Sequence, residues 1–455
     1  MVILEFLQDV LREPAFLIGI MSFVGLVASK SKPDKILTGT LGPILGYLML
    51  AAGSNVIVEN LDPLAQMIEE GFNITGVVPN NEAIVSVAQE ALGVESASIL
   101  AIGMLANLLI ARFTAYKYVF LTGHHSFFMA ALFAAVLSAL GFTSWELILL
   151  GGFFLGAWSA ISPAIGQKLT LEVTDGEDLA MGHFSSLGYY LSGWIGKLVG
   201  KNSKSIEEME IPEGWSFLRN TTISTAITMT VFYVIAALVA GSEFVTGLSG
   251  GQNYIIYGIL SGLRFAVGVA VVYAGVRMIL ADLLPAFQGI ANKVIPNAVP
   301  AVDTAVFFTY GPTAVIVGFV VSFIGGIVGM LTLGALGGVL IIPGMVPHFF
   351  TGATAGVYGN ATGGRRGVVI GSFINGLAIT FIPALLLPVL GDLGFASTTF
   401  GDTDFGVIGI LLGQIGNFFG NGGVYIIALV VLIVLIVPNF TRKSDRAINN
   451  PEWEE

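Results

Sequence analysis

Between Asp303 and Arg365 the chain carries no Asp, Glu, Lys or Arg. One helix crosses the hydrocarbon core of a bilayer with about 20 apolar residues, so this run exceeds one crossing and suffices for two. The rest of the 455 residues agrees, with 55% hydrophobic and 11% charged side chains. Water-soluble domains carry a larger charged fraction, about a quarter of their residues. The expected fold class is therefore an all-α polytopic membrane protein whose solvent is the lipid bilayer.

About eleven apolar stretches can be read as spans: 14–29, 36–58, 97–116, 118–141, 144–166, 221–241, 254–281, 305–329, 330–350, 367–390 and one within 405–438. Basic clusters fall at Lys30, Lys32 and Lys35, at Lys197, Lys201 and Lys204, at Arg365 and Arg366, and at Arg442, Lys443 and Arg446. One crossing precedes the first cluster, and four, four and two separate the rest, so all of them share one side of the membrane. Positive residues mark the cytoplasmic side. A multi-pass protein of the cell membrane with its N-terminus outside and its C-terminus in the cytoplasm follows. Glu5, Asp9 and Glu13 stand where a cleavable signal would be basic, so the first apolar segment is expected to remain.

Two stretches do not read as simple spans. Over 59–73, Leu61, Leu64, Ile68 and Phe72 recur at helical spacing beside Glu59, Asp62, Glu69 and Glu70, which predicts an amphipathic interfacial helix. Residues 167–220 form a long polar interval with an apolar piece at 187–199 and the acidic run Glu207-Glu208-Met209-Glu210, a cytoplasmic loop containing helices.

The halves of the chain echo one another. Val78-Pro79-Asn80-Asn81-Glu82 resembles Val299-Pro300-Ala301-Val302-Asp303 at an offset of 221 (300 less 79); Pro63-Leu64-Ala65-Gln66 resembles Pro285-Ala286-Phe287-Gln288 at 222; His125 faces His348 at 223. Under the topology above the two Pro-x-x-acid segments enter from opposite sides, which predicts an inverted internal repeat and transport by alternating access. A single transmembrane module over 1–440 is expected, with repeat 1 at about 14–166, the loop 167–220, repeat 2 at about 221–438, and a cytoplasmic tail at 441–455.

An acid at membrane depth is costly unless it faces protein or water, which makes Glu82 and Asp303 candidates for contact with a polar solute. The four histidines lie in Gly123-His124-His125-Ser126-Phe127-Phe128, in Gly182-His183-Phe184 and in Pro347-His348. Glycine before histidine suits close backbone approach, and imidazole suits hydrogen bonding to a hydroxylated solute. A zinc site is disfavoured, because no His-x-x-His or Glu-x-x-His spacing accompanies them. The chain has no cysteine, so thiolate chemistry must lie elsewhere, and no phosphate-loop, GxSxG elbow or paired catalytic carboxylates occur. No catalytic residue, metal or cofactor is expected. The net charge of -11 disfavours nucleic acid as a partner.

Several motifs together resemble the ascorbate-type enzyme IIC permeases of the phosphoenolpyruvate-dependent sugar phosphotransferase system over roughly 14–440. They are Glu172-Val173-Thr174-Asp175-Gly176 with Gly182-His183, Ser224-Thr225-Ala226-Ile227, Gly275-Val276-Arg277-Met278, Ala286-Phe287-Gln288-Gly289-Ile290, Ala301-Val302-Asp303, and Ile341-Ile342-Pro343-Gly344 through Phe349-Phe350 to Gly356-Val357. The resemblance implies an eleven-span homodimer with a V-motif scaffold and a mobile core. It also implies L-ascorbate or a related polar sugar derivative as substrate, and a separate phosphocysteine IIB protein as phosphoryl donor. An ion-coupled transporter of the same fold is the alternative.

Of the ligand-holding positions the resemblance implies, His124, Phe127, His183 and Asp303 match. The family's glutamine after the phenylalanine is Phe128, its glutamine after the second histidine is Phe184, and its Thr-Tyr pair is Asn81-Glu82. The expected substrate-binding set is thus Asn81, Glu82, His124, Phe128, His183, Phe184 and Asp303.

Overall fold

A computed structural model describes residues 14–72, 76–177, 179–208, 220–295 and 299–441; the tail 441–455 and the last basic cluster lie outside this set apart from Thr441. The chain is mostly helical. Its longer helices are α1 (Pro14–Ala28), α2 (Pro33–Phe72), α3 (Asn81–Phe113), α4 (Gly123–Ala139), α5 (Ser144–Val173), α6 (Ser186–Val199), α7 (Thr221–Ala240), α8 (Tyr254–Val294), α9 (Pro312–Ala335), α10 (Ala353–Leu386) and α11 (Thr403–Thr441). Among the described residues six helices are long and apolar enough to cross a membrane, or seven if the bent pair Thr225–Ala240 and Ser242–Leu248 is one span.

Helices α1, α2, α7 and α8 pack on one another. Beside them α3 packs on α4 and α5, and α10 packs on α9 and α6. Exposed Leu, Ile, Val and Phe side chains cover the outer faces, as lipid contact requires.

The segment 59–73 departs from expectation. It is the second half of α2, which runs on through Pro63. Its apolar stripe is covered by protein instead of lying at an interface: Leu64, Met67 and Ile68 are buried, and the Tyr233 hydroxyl of α7 donates to the Asn60 carbonyl. The stretch 330–350 is not one continuous helix. Helix α9 ends at Ala335, the chain turns through Gly337 at φ +68°, and a strand follows, because glycine alone enters that backbone region without cost. In the polar interval, α6 is not a peripheral loop helix; it buries Gly188, Tyr189, Tyr190 and Ser192 and packs on α10.

Among the described residues six short strands interrupt the helices: β1 (Gly76–Pro79), β2 (Tyr118–Phe120), β3 (Ala180–Met181), β4 (Val299–Val302), β5 (Leu340–Ile341) and β6 (Thr398–Thr399). They form two parallel three-stranded sheets, ordered β5-β1-β6 and β2-β4-β3. The two Pro-x-x-acid segments supply the central strands, so each extended backbone finds partners on both sides. Asn80 N–H donates to the Thr399 carbonyl at 2.9 Å, Ile342 N–H to Val77 at 2.8 Å, and Leu121 N–H to Ala301 at 2.9 Å. The proline of each central strand costs one ladder donor, which a three-stranded sheet this short tolerates.

Gly182 sits where β3 meets β4. A Cβ there would lie 2.3 Å from the Ala301 carbonyl oxygen. The glycine of Gly-His therefore serves strand packing, a different reason from approach to a solute. Gly182→Ala is expected to destabilise the detergent-purified protein by about 1–3 kcal/mol, the usual cost of overpacking, read as a lowered Tm; an unchanged Tm contradicts the close contact.

Candidate functional site

Every strand ends at the same place. The chain leaving β1 enters α3 at Asn81 and Glu82, and that leaving β2 enters α4 with His124, His125 and Phe128. The exits of β3 and β4 carry His183 and Asp303, that of β5 leads to Val346, Pro347 and Phe350, and that of β6 carries Asp402 ahead of α11. These eleven residues line one cavity.

The local sequence explains the arrangement. Asn80 accepts from Ala83 N–H at 2.8 Å and caps α3, so Glu82 falls in the first helical turn. The α4 helix starts one residue before His124, which sets His124, His125 and Phe128 in its first two turns. Four helices, α3, α4, α6 and α11, begin beside the cavity, and the positive ends of their dipoles favour carboxylates and anionic solutes there.

Two polar groupings adjoin in the wall. His124 Nε2 stands 3.3 Å from Asp303 Oδ2, bringing motifs from the two halves of the chain together, and Phe128 packs edge-on to His124 at 5.8 Å. Beside it, the ring centroids of His125 and His183 are 3.6 Å apart, and His125 Nδ1 lies 3.9 Å from Asp402 Oδ2. Asn81 Nδ2 donates to Asp402 Oδ2 at 3.0 Å while its Oδ1 accepts from Gly401 N–H at 2.8 Å. Tyr189 hydroxyl meets His183 Nδ1 at 2.8 Å. Glu82 is buried at the rim, and the Arg277 guanidinium is near enough to act on His124 electrostatically.

Six of the seven residues expected from the sequence, Asn81, Glu82, His124, Phe128, His183 and Asp303, come together here. Phe184 does not line the cavity. It is fully buried, stacks on Phe120 at 4.4 Å, and contributes its backbone N–H to His125 Nδ1 at 3.3 Å. His348 turns away to Ser322 Oγ at 2.9 Å. Sequence reasoning missed His125 as a lining residue and Asp402 altogether; the only available signal for Asp402 was an acid pair, Asp402 and Asp404, at the edge of the apolar stretch 405–438.

The space open to the centre of a water molecule is about 20 Å³, enough for about one water and far below the roughly 300–1,000 Å³ of small-molecule sites. A sugar enters only if the walls part.

Comparison with known proteins gives two results. Residues 9–404 match the family described as the PTS system sugar-specific permease component. The chain is also 26% identical over 431 residues to the "Ascorbate-specific PTS system EIIC component" of Mycoplasma pneumoniae, a match covering 80% of this chain and 63% of the relative. The chain thus spans less than two thirds of that relative's length.

Behind the cavity, Asp404 is wholly buried and accepts from Ser186 Oγ at 2.8 Å, Leu187 N–H at 2.9 Å and Trp158 Nε1 at 3.3 Å. It ties α11 to the start of α6 and to α5. Asp404→Ala strands buried donors, each costing about 1–3 kcal/mol, and is expected to lower Tm and shift Trp158 fluorescence; unaltered melting and emission contradict the bridging role.

Proposed function

We infer the function from one premise: the chain belongs to the family of sugar-specific permease components of the phosphotransferase system. Such a component resides in the cell membrane, and the apolar helices accord with a multi-pass arrangement. We propose that the chain binds a hydroxylated sugar or sugar acid in the cavity at the strand ends and carries it inward by alternating access. Phosphorylation by a separate phosphocysteine IIB protein completes the cycle. L-ascorbate is the leading substrate, a reading supported by the name of the Mycoplasma pneumoniae relative and by the matches at His124, Phe127, His183 and Asp303.

The observation that carries this reading is the convergence of the two Pro-x-x-acid segments, with their histidines, on a single closed cavity. A polar pocket at the junction of two repeats, rimmed by helix N-termini, is the arrangement alternating-access transporters use for polar solutes. The strand pairing supports an inverted repeat. Gly76 of β1 pairs with Leu340, and Tyr118 pairs with Val299 of β4, so exchanging partners by offsets of 223 (299 less 76) and 222 (340 less 118) maps one sheet onto the other. The separate packing of α1, α2, α7 and α8 supports a scaffold distinct from a core that moves. Eleven spans, an outside N-terminus, a cytoplasmic C-terminus and a homodimer complete the proposal. The ion-coupled alternative draws no support from the family.

In the proposed mechanism His124 and Asp303 hydrogen-bond substrate hydroxyls, and His183, held by Tyr189, presents a third polar contact. The phenyl ring of Phe128 gives an apolar wall where the family's amide would donate. Binding of labelled L-ascorbate to detergent-purified protein, with other sugars and sugar acids as competitors, tests this. Asp303→Asn is expected to weaken binding about 10- to 100-fold, the worth of a charge-assisted hydrogen bond, and Phe128→Gln to strengthen it. Wild-type affinity in a monodisperse Asp303→Asn protein removes Asp303 from the site. A competitor that binds while ascorbate does not reassigns the substrate.

A further inference from the structure

We propose that His125, His183 and Asp402 form a divalent transition-metal site of the zinc class in the cavity wall, with an open coordination position facing the substrate. One donor atom from each residue lies within 4.8 Å of the others. All three side chains are 3% exposed. Two imidazoles and a carboxylate are the donor set of three-ligand zinc sites, which keep a fourth position open. The residues stand 58 (183 less 125) and 219 (402 less 183) positions apart, so no local spacing motif announces them.

The distances suit a shared ion better than direct hydrogen bonds. His125 Nδ1 and Asp402 Oδ2 are 3.9 Å apart, beyond hydrogen-bond reach. Zinc bonds of about 2.0–2.2 Å bridge such a gap after small side-chain movements. The Phe184 N–H donates to His125 Nδ1, so that nitrogen bears no proton, and ligation through it requires the ion to displace this 3.3 Å hydrogen bond.

Each ligand is also held from behind. Asn81 donates to Asp402, the Tyr189 hydroxyl fixes His183, and Phe405 stacks on His125 at 5.7 Å with the ring planes 8° apart. Such supporting contacts orient metal ligands and raise affinity. Asn81 is one of the positions that departs from the family's Thr-Tyr pair, so the support for Asp402 belongs to this chain.

Size and charge point the same way. The cavity holds about one water-sized body, which is the scale of an ion. Its lining carries three carboxylates, Glu82, Asp303 and Asp402, and no lysine or arginine; Arg277, close to His124, is the nearby cation. His124, whose ring centroid lies 4.7 Å from that of His125, and its partner Asp303 adjoin the three ligands, and vicinal oxygens of a sugar acid held there would complete the coordination shell. This last step rests on the proposed transport function. Zinc has no redox chemistry, so an oxidisable enediol would be held without electron transfer.

The test uses tag-free full-length protein in detergent, stripped with EDTA and then equilibrated with Zn²⁺ or Mn²⁺. About one Zn²⁺ per chain by mass spectrometry, with a raised Tm, is expected. His125→Ala and Asp402→Asn should each weaken Zn²⁺ at least about tenfold, the scale set by metal-site mutants, while His348→Gln retains it. Absence of stoichiometric metal in the wild type, or its retention in both ligand variants, overturns the site. Should Asp402→Asn fail to fold, the wild-type stoichiometry and His125→Ala decide. Labelled L-ascorbate is then measured on stripped and loaded protein, with at least about tenfold tighter binding expected when loaded. Equal binding in both forms overturns the coordination of substrate but leaves the transport reading intact. Metal bound without any sugar affinity overturns the transport reading and leaves the metal site.

Discussion

Backbone hydrogen bonding at membrane depth is the constraint on which the rest of this molecule depends. Extended peptide in a bilayer costs several kcal/mol for each unpaired group, so it survives only where protein supplies partners. Here the extended segments supply one another. β1 reaches across the chain to β5 and β6, and β4 to β2 and β3. Neither Pro-x-x-acid segment is stable alone; each needs two strands from the other half. The two halves are therefore locked together at the strands, and the helices restart where the strands stop.

That restart creates the chemistry. A helix beginning at depth exposes N–H groups with no intrahelical partner, and acids are the cheapest way to satisfy them. Asp404 does so for α6 by accepting from Leu187 N–H, while also accepting from the Ser186 hydroxyl and the Trp158 indole, and the Asn80 amide oxygen does so for α3. Glu82, Asp303 and Asp402 sit at equivalent starts but turn toward the cavity. The same electrostatic logic thus yields two kinds of acid. Asp404 is a strut between helices, and Glu82, Asp303 and Asp402 line the cavity.

Much of this was legible in the chain. A pair of proline-acid segments inside apolar sequence signals broken backbone at depth, and the matching offsets signal duplicated segments that come to meet. The Gly-His motifs located both histidine clusters, since His124 and His183 reach the cavity. What escaped has a common cause. Asp402 is held by Asn81, 321 residues away, and no local pattern encodes that contact. His125 looked like a neighbour of the important residue because adjacent positions of a helix usually diverge; the first turn of α4 instead presents both rings, 4.7 Å apart, to the same space. The interfacial reading of 59–73 failed for a related reason: amphipathicity says that one face is covered, and whether lipid or α7 covers it is a tertiary fact.

The exchange of amides for phenyl rings now takes on a different meaning at its two positions. Phe128 occupies the wall and replaces a hydrogen bond with an apolar surface. Phe184 lies in an aromatic stack with Phe120 and Phe405, so its side chain supports the wall without meeting the solute. In the proposed binding mode, polar recognition consequently falls on the histidines and carboxylates. An ionised carboxylate beside so small a space repels an acidic sugar, and repulsion between unit charges at about 4 Å costs about 4 kcal/mol in the effective dielectric of a protein site. Helix N-termini and Arg277 offset part of it. A bound cation between Asp402 and the histidines would reverse the sign of the field where the solute's oxygens arrive. Without one, the same wall favours neutral polyols over acids. Under the proposed metal site, the Asp402 wall, more than the lost amides, would thus separate acidic from neutral solutes.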